Sequence, residues 1–188
     1  MSGRGLAQAG FVLAGGRSSR MGRDKALLPL EGSTLIDRIA ARVLDAAGSV
    51  TIIGSPEKYG SVGYPVIPDA VLECGPLGGV YTALRSTEAE WNLIVACDMP
   101  DVTADLLKDL LAIASRSEAD CVVPESVTGL DPLCAVYRRR CAGPAYAAIS
   151  RKSLKMHDFV SSLHAEKWPV SEPALLANVN TPEQWSRR

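Results

Sequence analysis

A chain of 188 residues, 47% of them hydrophobic and 22% charged, has the make-up of an ordinary globular protein and is long enough to bury one substantial core, which excludes disordered and fibrous classes. Its 20 Lys and Arg against 21 Asp and Glu give a formal net charge of −1, the wrong balance for a protein that holds nucleic acid along an extended basic surface, whereas a small anion held by a local cluster of cations is compatible. No apolar run approaches the roughly 18 residues of a membrane helix. The opening MSGRGLAQAG lacks the apolar core of a secretory signal, so a cytoplasmic protein is expected.

Strand-like and helix-like patterns alternate along the chain without repeat, low-complexity tract or linker, which predicts a single α/β domain over residues 1–188, with a mainly parallel sheet and a flexible N-terminus over 1–9. Phe11, Val12, Leu13 and Ala14 form the apolar run of a strand buried on both faces. Ser33 or Thr34 can cap the next helix, with Asp37 completing a variant capping box. Leu35, Ile36, Ile39, Val43 and Leu44 supply its apolar face, and Gly48 its stop. Val50 to Ile53 and Val66-Ile67 read as strands, and a helical pattern opens after Gly79 and ends at Leu84. Leu93 to Ala96 is a further buried strand. Thr103 is an N-cap for a helix that turns Leu106, Leu107, Leu110, Leu111 and Ala114 to the core. Cys121 to Val123 and Leu133 to Tyr137 read as strands, followed by two short helices from about Ala142 and a last one after Pro182.

The first strand runs into a loop of glycines, serines and cations. Gly15 and Gly16 let the backbone approach a ligand with its N–H groups pointing inward, Ser18 and Ser19 add hydroxyl donors, and Arg20 and Lys25 supply positive charge for phosphate oxygens. The dinucleotide G-x-G-x-x-G pattern is absent. The Walker pattern fails too, since Lys25 stands three residues after Gly22 and is followed by Ala26 where that pattern needs Ser or Thr. A Gly-Ser connection after a strand is often no more than a connection, but Arg20, Asp24 and Lys25 tilt this one toward an anion site.

Gly15, Asp69 and Asp98 each follow a strand-like run, and in open parallel sheets ligands lie beyond the carboxyl ends of the strands, so three distant segments are expected to meet on one edge. Asp98 reads either as a magnesium ligand or as a turn or cap residue, and Asp69 either as a ligand acceptor or as an ordinary residue after Pro68. Asn178 and Asn180 share a face if extended, while Asn180 or Thr181 could instead cap a final helix opened by Pro182. The five cysteines are odd in number and form no C-x-x-C pair. Cys97, Cys121 and Cys134 lie in apolar runs and are expected to be buried structural thiols, and His157 and His164 are placed in a late helical stretch with surface or packing roles.

The string LAGGRSSRMGRDKALLPL resembles the nucleotide-binding loop of the molybdenum cofactor guanylyltransferases, which pass GMP from GTP to molybdopterin. Gly75-Pro-Leu-Gly-Gly79, Ala96-Cys-Asp-Met-Pro100, Pro132-Leu-Cys-Ala-Val-Tyr137 and Asn178-Val-Asn-Thr-Pro-Glu183 are similar to the family's later blocks, in the family's order, and cover nearly the whole chain. The first block by itself also resembles sugar-phosphate and cytidylyl nucleotidyltransferases, so the specificity lies in LAGG together with the later blocks.

The resemblance implies a Rossmann-like three-layer domain of nucleotidyltransferase type. It implies nucleotide binding by Leu13, Ala14, Gly15, Gly16, Lys25, Asp69 and Asp98, catalytic roles for Arg20, Lys25 and Asp98, Mg²⁺ on Asp98, and contacts from Asn178 and Asn180 to substrate or metal-bound water. GTP and molybdopterin, or its molybdenum-loaded form, would be the substrates, and transient cofactor-delivery proteins the partners, with neither nucleic acid nor membrane involved. Residues 129–137 correspond to the part the family turns toward the pterin, where Asp131 departs from the histidine or other non-acidic residue expected before the proline. The rival readings are a cytidylyltransferase of the same fold acting on molybdopterin or a polyol phosphate, and a regulatory module that binds nucleotide without turnover.

Overall fold

The computed structural model describes residues 8–15, 24–30 and 32–179. The strands are β1 (Gln8–Leu13), β2 (Pro29–Leu30), β3 (Ser33–Thr34), β4 (Thr51–Ile53), β5 (Val66–Ile67), β6 (Trp91–Ala96), β7 (Cys121–Ser126), β8 (Gly129–Leu130), β9 (Cys134–Arg138) and β10 (Ala165–Pro169). The α-helices are α1 (Leu35–Ala47), α2 (Pro56–Tyr59), α3 (Gly75–Arg85), α4 (Ala104–Ala114), α5 (Ala142–Ser150) and α6 (Met156–Ser161).

The main sheet runs in the order β10-β7-β9-β6-β1-β4-β5, with β8 attached to β7, while β2 and β3 form a separate small hairpin. Its centre and one wing are parallel: β1 pairs in parallel with both β4 and β6, β4 with β5, and β10 with β7. The expectation of a mainly parallel sheet holds, with one qualification. β9 is antiparallel to both β6 and β7. The chain goes from β7 through β8 straight into β9, and so short a connection can only reverse direction, because a parallel return needs a crossover of a dozen or more residues.

Strand residues alternate between two cores because successive side chains point to opposite faces. Val12, Leu93, Val95, Val122 and Val136 face the core covered by α1 and α4, whereas Phe11, Leu13, Ile94, Val123 and Tyr137 face that covered by α3, α5 and α6. Helices therefore flank the sheet on both sides. Helix α1 starts with the capping box expected of it: the Thr34 hydroxyl accepts from the Asp37 N–H while the Asp37 carboxylate accepts from the Thr34 N–H, and Gly48 closes the helix in the left-handed conformation. Thr103 caps α4 in the predicted place.

Some expectations are corrected. Leu44, assigned to the apolar face of α1, is 40% exposed, since it lies to the side of the buried stripe that runs through Ile36, Ile39, Ala40, Val43 and Ala47. Helix α3 begins at Gly75, before its expected start, because Pro76 opens the first turn and Gly79 packs against β1 so closely that a Cβ there would stand 3.1 Å from Leu13 Cδ2. Strand β10 had no sequence signature: Ala165-Glu-Lys-Trp-Pro169 is an edge strand defined by its pairing with β7. His157 lies in α6, but His164 lies outside it, between α6 and β10. The helix expected after Pro182 falls outside the described residues.

Candidate active site

Four parallel strands end together, and their ends make the floor of the site. In the registers, Leu13 is opposite both Ile53 and Ala96, and Ile53 is opposite Ile67. The next residues continue the ladder: Ala14 N–H donates to the Ile53 carbonyl at 2.8 Å, Gly54 N–H to the Ile67 carbonyl at 2.9 Å, and Cys97 N–H to the Leu13 carbonyl at 3.1 Å. This register carries Gly15, Asp69 and Asp98 to one edge of the sheet, as the placement of the three segments after strands predicted.

A cleft of about 820 Å³ opens above this edge, lined among others by Leu13, Gly15, Lys25, Asp69 and Asp98. One wall is the segment from Val71 to Gly75 that enters α3. It is pinned at its base by Thr82, whose hydroxyl accepts from Ala70 N–H at 2.9 Å and donates to the Gly78 carbonyl at 2.8 Å. Glu73 and Gly75 both have positive φ, at 58° and 57°, which leaves Leu72 standing out at 80% exposure. The Asp69 carboxylate lies between two glycines: a Cβ on Gly15 would be 3.8 Å from Oδ2, and one on Gly79 would be 3.7 Å from Oδ1.

Another part of the lining is the short 3₁₀ turn Lys25–Leu27, capped by Asp24, which accepts from Ala26 N–H at 3.1 Å. Lys25 Nζ points at the Val179 carbonyl, 3.4 Å away, and the Val179 N–H donates to the Asp98 carbonyl at 2.8 Å. A residue far along the chain thus buttresses Lys25 and Asp98 from behind the cleft lining. Behind Asp98, Arg42 of α1 donates to the Pro100 carbonyl at 2.6 Å and holds the turn in place.

The carboxylates here are poorly solvated. Burial holds Asp98 above the ordinary carboxylate range, with a hydrogen bond from its own backbone and the nearby Lys25 charge pulling it partly back. Burial likewise raises Asp69. Both are buried oxygen donors, whose charged form a cation or a cationic side chain stabilises. The Cys97 thiol is pushed up to about 12, first by burial and then by the Asp98 and Asp24 carboxylates, so it stays protonated and is a poor nucleophile.

Leu13, Gly15, Lys25, Asp69 and Asp98 are brought together, while Ala14 is buried beneath the cleft floor. Asn178 is exposed beside the buried Val179. Gly16, Arg20 and Asn180, as well as Ser18 and Ser19, lie outside the described residues. Cys121 and Cys134 are buried as expected, but Cys97 is half-buried and lines the cleft, because it is the first residue past the end of β6 and faces the open edge. Leu133, from the 129–137 stretch that the resemblance turns toward the pterin, also lines it, as do Tyr59 and the Val71–Cys74 segment, which sequence reasoning did not single out. A tyrosine in a short helix between two strands has no periodicity that would betray its reach. Asp131 is held above its ordinary value by burial and partly pulled back by His157 on α6.

Residues 10–166 match the model of the MobA-like NTP transferase domain. The chain is 38% identical over 184 residues to the molybdenum cofactor guanylyltransferase of Xanthomonas euvesicatoria, covering 95% of this chain and 92% of that one. It is 34% identical over 176 residues to a Flavobacterium johnsoniae protein named probable molybdenum cofactor guanylyltransferase, covering 93% and 92%. Among solved structures, molybdopterin-guanine dinucleotide biosynthesis protein A from Archaeoglobus fulgidus superposes with a TM-score of 0.82 at 24% identity over 95% of each chain, a likeness of fold.

Proposed function

The chain belongs to the MobA-like NTP transferase family and is a guanylyltransferase of molybdopterin guanine dinucleotide synthesis, and from that premise we propose that it transfers GMP from GTP to the terminal phosphate of molybdopterin in the cleft above β1, β4, β5 and β6. The observation that carries the proposal is the convergence on that cleft of a lysine, two desolvated carboxylates and the Gly15 backbone.

An oxygen of the acceptor phosphate attacks the α-phosphorus of GTP, the bond from that phosphorus to the bridging oxygen breaks, and pyrophosphate leaves with the electron pair. The second pKa of a phosphate monoester is about 6, so the nucleophile is already largely ionised near neutral pH and no strong general base is needed. The work left to the protein is alignment and charge neutralisation. Lys25 and the backbone from Gly15 onward would hold the triphosphate, and Asp69 would accept from the guanine edge. Arg20, outside the described residues, would stabilise the departing pyrophosphate.

Magnesium suits Asp98 by donor chemistry: the ion takes oxygen ligands, keeps several waters, and is commonly held by one or two carboxylates together with substrate phosphates. Among the described residues no three His, Cys, Asp or Glu side chains form a dedicated metal cage, which is the sparse protein contribution that this mode of binding uses. When bound, magnesium would offset the charge that builds on the phosphates. Asn178 and Asn180 would orient phosphate or metal-bound water. No described helix is long and apolar enough to cross a membrane, and a cytoplasmic site of action with transient delivery proteins completes the proposal.

Pyrophosphate release with GTP, CTP and ATP, compared in the presence of molybdopterin and magnesium, tests it. Release with GTP alone, coupled to formation of the guanine dinucleotide, is the expected result. Productive CMP transfer at an equal rate replaces guanylyl with cytidylyl transfer, and nucleotide binding without pyrophosphate release favours a regulatory module.

A further inference from the structure

Tyr59 ends the four-residue helix α2, on the crossover between β4 and β5, and is only 3% exposed. Its ring lies against the end of β4 at Gly54, where a Cβ would meet Tyr59 Cε2 at 2.9 Å and the Ala14 carbonyl oxygen at 2.2 Å. That gap leaves room for the phenol, which reaches the turn that carries Lys25. Its hydroxyl donates to Asp24 Oδ2 at 2.8 Å, while Asp24 Oδ1 accepts from Ala26 N–H at 3.1 Å. Lys58, beside it on α2, adds a mostly exposed ammonium 3.6 Å from the same Oδ2. Each Asp24 oxygen therefore has an assigned donor, one on the crossover helix and one in the turn that carries Lys25.

We propose that Tyr59 is a positioning residue for triphosphate binding: its hydroxyl anchors Asp24, and the anchored Asp24 fixes the turn that aims the Lys25 ammonium into the cleft. The proposal rests on the guanylyltransferase reading and adds to it a residue that acts through Asp24 rather than on the reacting atoms. Three features support it. A long cation side chain loses considerable rotamer freedom when it grips a ligand, and a turn that is already set reduces that cost. Tyr59 reaches Asp24 from a different strand connection, so the bond ties the cation wall to the strand floor across a sequence separation of 35 residues. The buried phenol is also held above its ordinary value, first by burial and then by its hydrogen bond to Asp24, so it remains a donor wherever the protein is folded.

Tyr59→Phe keeps the ring and removes only the hydroxyl. The expected result is a KM and Kd for GTP raised roughly tenfold, the size of effect that loss of an orienting hydrogen bond to a charged group produces, with kcat at saturating GTP within about twofold of wild type. Asp24→Ala, a second variant, should lose affinity to a similar extent. In a double-mutant cycle Tyr59→Phe should cost almost nothing further on a Lys25→Ala background, since its effect passes through Lys25. A merely structural role would lower the thermal midpoint and add to the Lys25→Ala loss. Unchanged GTP affinity in Tyr59→Phe, or full additivity with Lys25→Ala, overturns the positioning role alone. A wild-type protein that does not bind GTP overturns the guanylyltransferase reading and this proposal with it.

Discussion

The backbone of Val179 bridges Asp98 and Lys25: its N–H donates to the Asp98 carbonyl at 2.8 Å, and its carbonyl lies 3.4 Å from Lys25 Nζ. The segment next to Asn178 therefore helps shape the side of the cleft where the carboxylate and the cation meet. Lys25 has a structural contact as well as an open cleft to face, and that dual position sets what its removal should do.

Lys25→Ala is expected to weaken GTP binding by roughly 10- to 100-fold, the range for losing a hydrogen bond to a charged group, and to lower kcat/KM at least as much. Its Nζ contact to Val179 is long, so the thermal midpoint should move little. Calorimetric titration of GTP alongside a thermal scan checks both. Wild-type affinity would mean that Lys25 plays a structural part alone.

Asp98→Asn is expected to reduce kcat by 100-fold or more with a smaller change in GTP affinity, and raised magnesium should restore part of the rate, because in the proposed site charge removal would weaken metal binding while Lys25 would still grip the triphosphate. The same substitution makes a stability prediction of opposite sign. Burial raises the folded-state pKa of Asp98, so the stability associated with its protonation is fully present below the ordinary value of 3.8 and is lost as pH rises through the raised one. In metal-free buffer, Asp98→Asn should therefore melt above wild type near neutral pH, and the gain should vanish as pH falls toward that ordinary value. Thermal scans across pH check it, and a neutral-pH midpoint below wild type would contradict it.

Gly54→Ala is expected to destabilise the fold by about 1–3 kcal/mol, since the new Cβ would stand 2.2 Å from the Ala14 carbonyl oxygen and 2.9 Å from the Tyr59 ring. For a chain of this length each kcal/mol lowers the midpoint by roughly 2–4 °C. The clash also pushes Tyr59 away from Asp24, so GTP affinity should fall with stability. A variant with wild-type midpoint and affinity would show that β4 relaxes without disturbing the cleft.

Local sequence was enough wherever one residue's chemistry acts on its immediate neighbours. The Thr34–Asp37 box, the Gly48 stop, the Thr103 cap and the buried runs of β1 and β6 all follow from side chains within a few positions of one another, and the structure has each of them. Placement of Gly15, Asp69 and Asp98 after strand ends was also legible, because a parallel sheet delivers all its carboxyl ends to one edge.

What the tertiary structure decided are relationships between distant segments. The reversed direction of β9, the edge strand β10 and the early start of α3 depend on pairing and packing partners far away in the chain, to which local periodicity is blind. Cys97 looked like core because its neighbours are apolar, yet it is half-buried at the point where β6 runs out of partners. Tyr59 could not be read at all from its surroundings. Its reach to Asp24 exists only because Gly54 lacks a Cβ and the register of β4 on β1 brings the end of that strand against Ala14, a three-dimensional coincidence of backbone and ring that no linear pattern encodes.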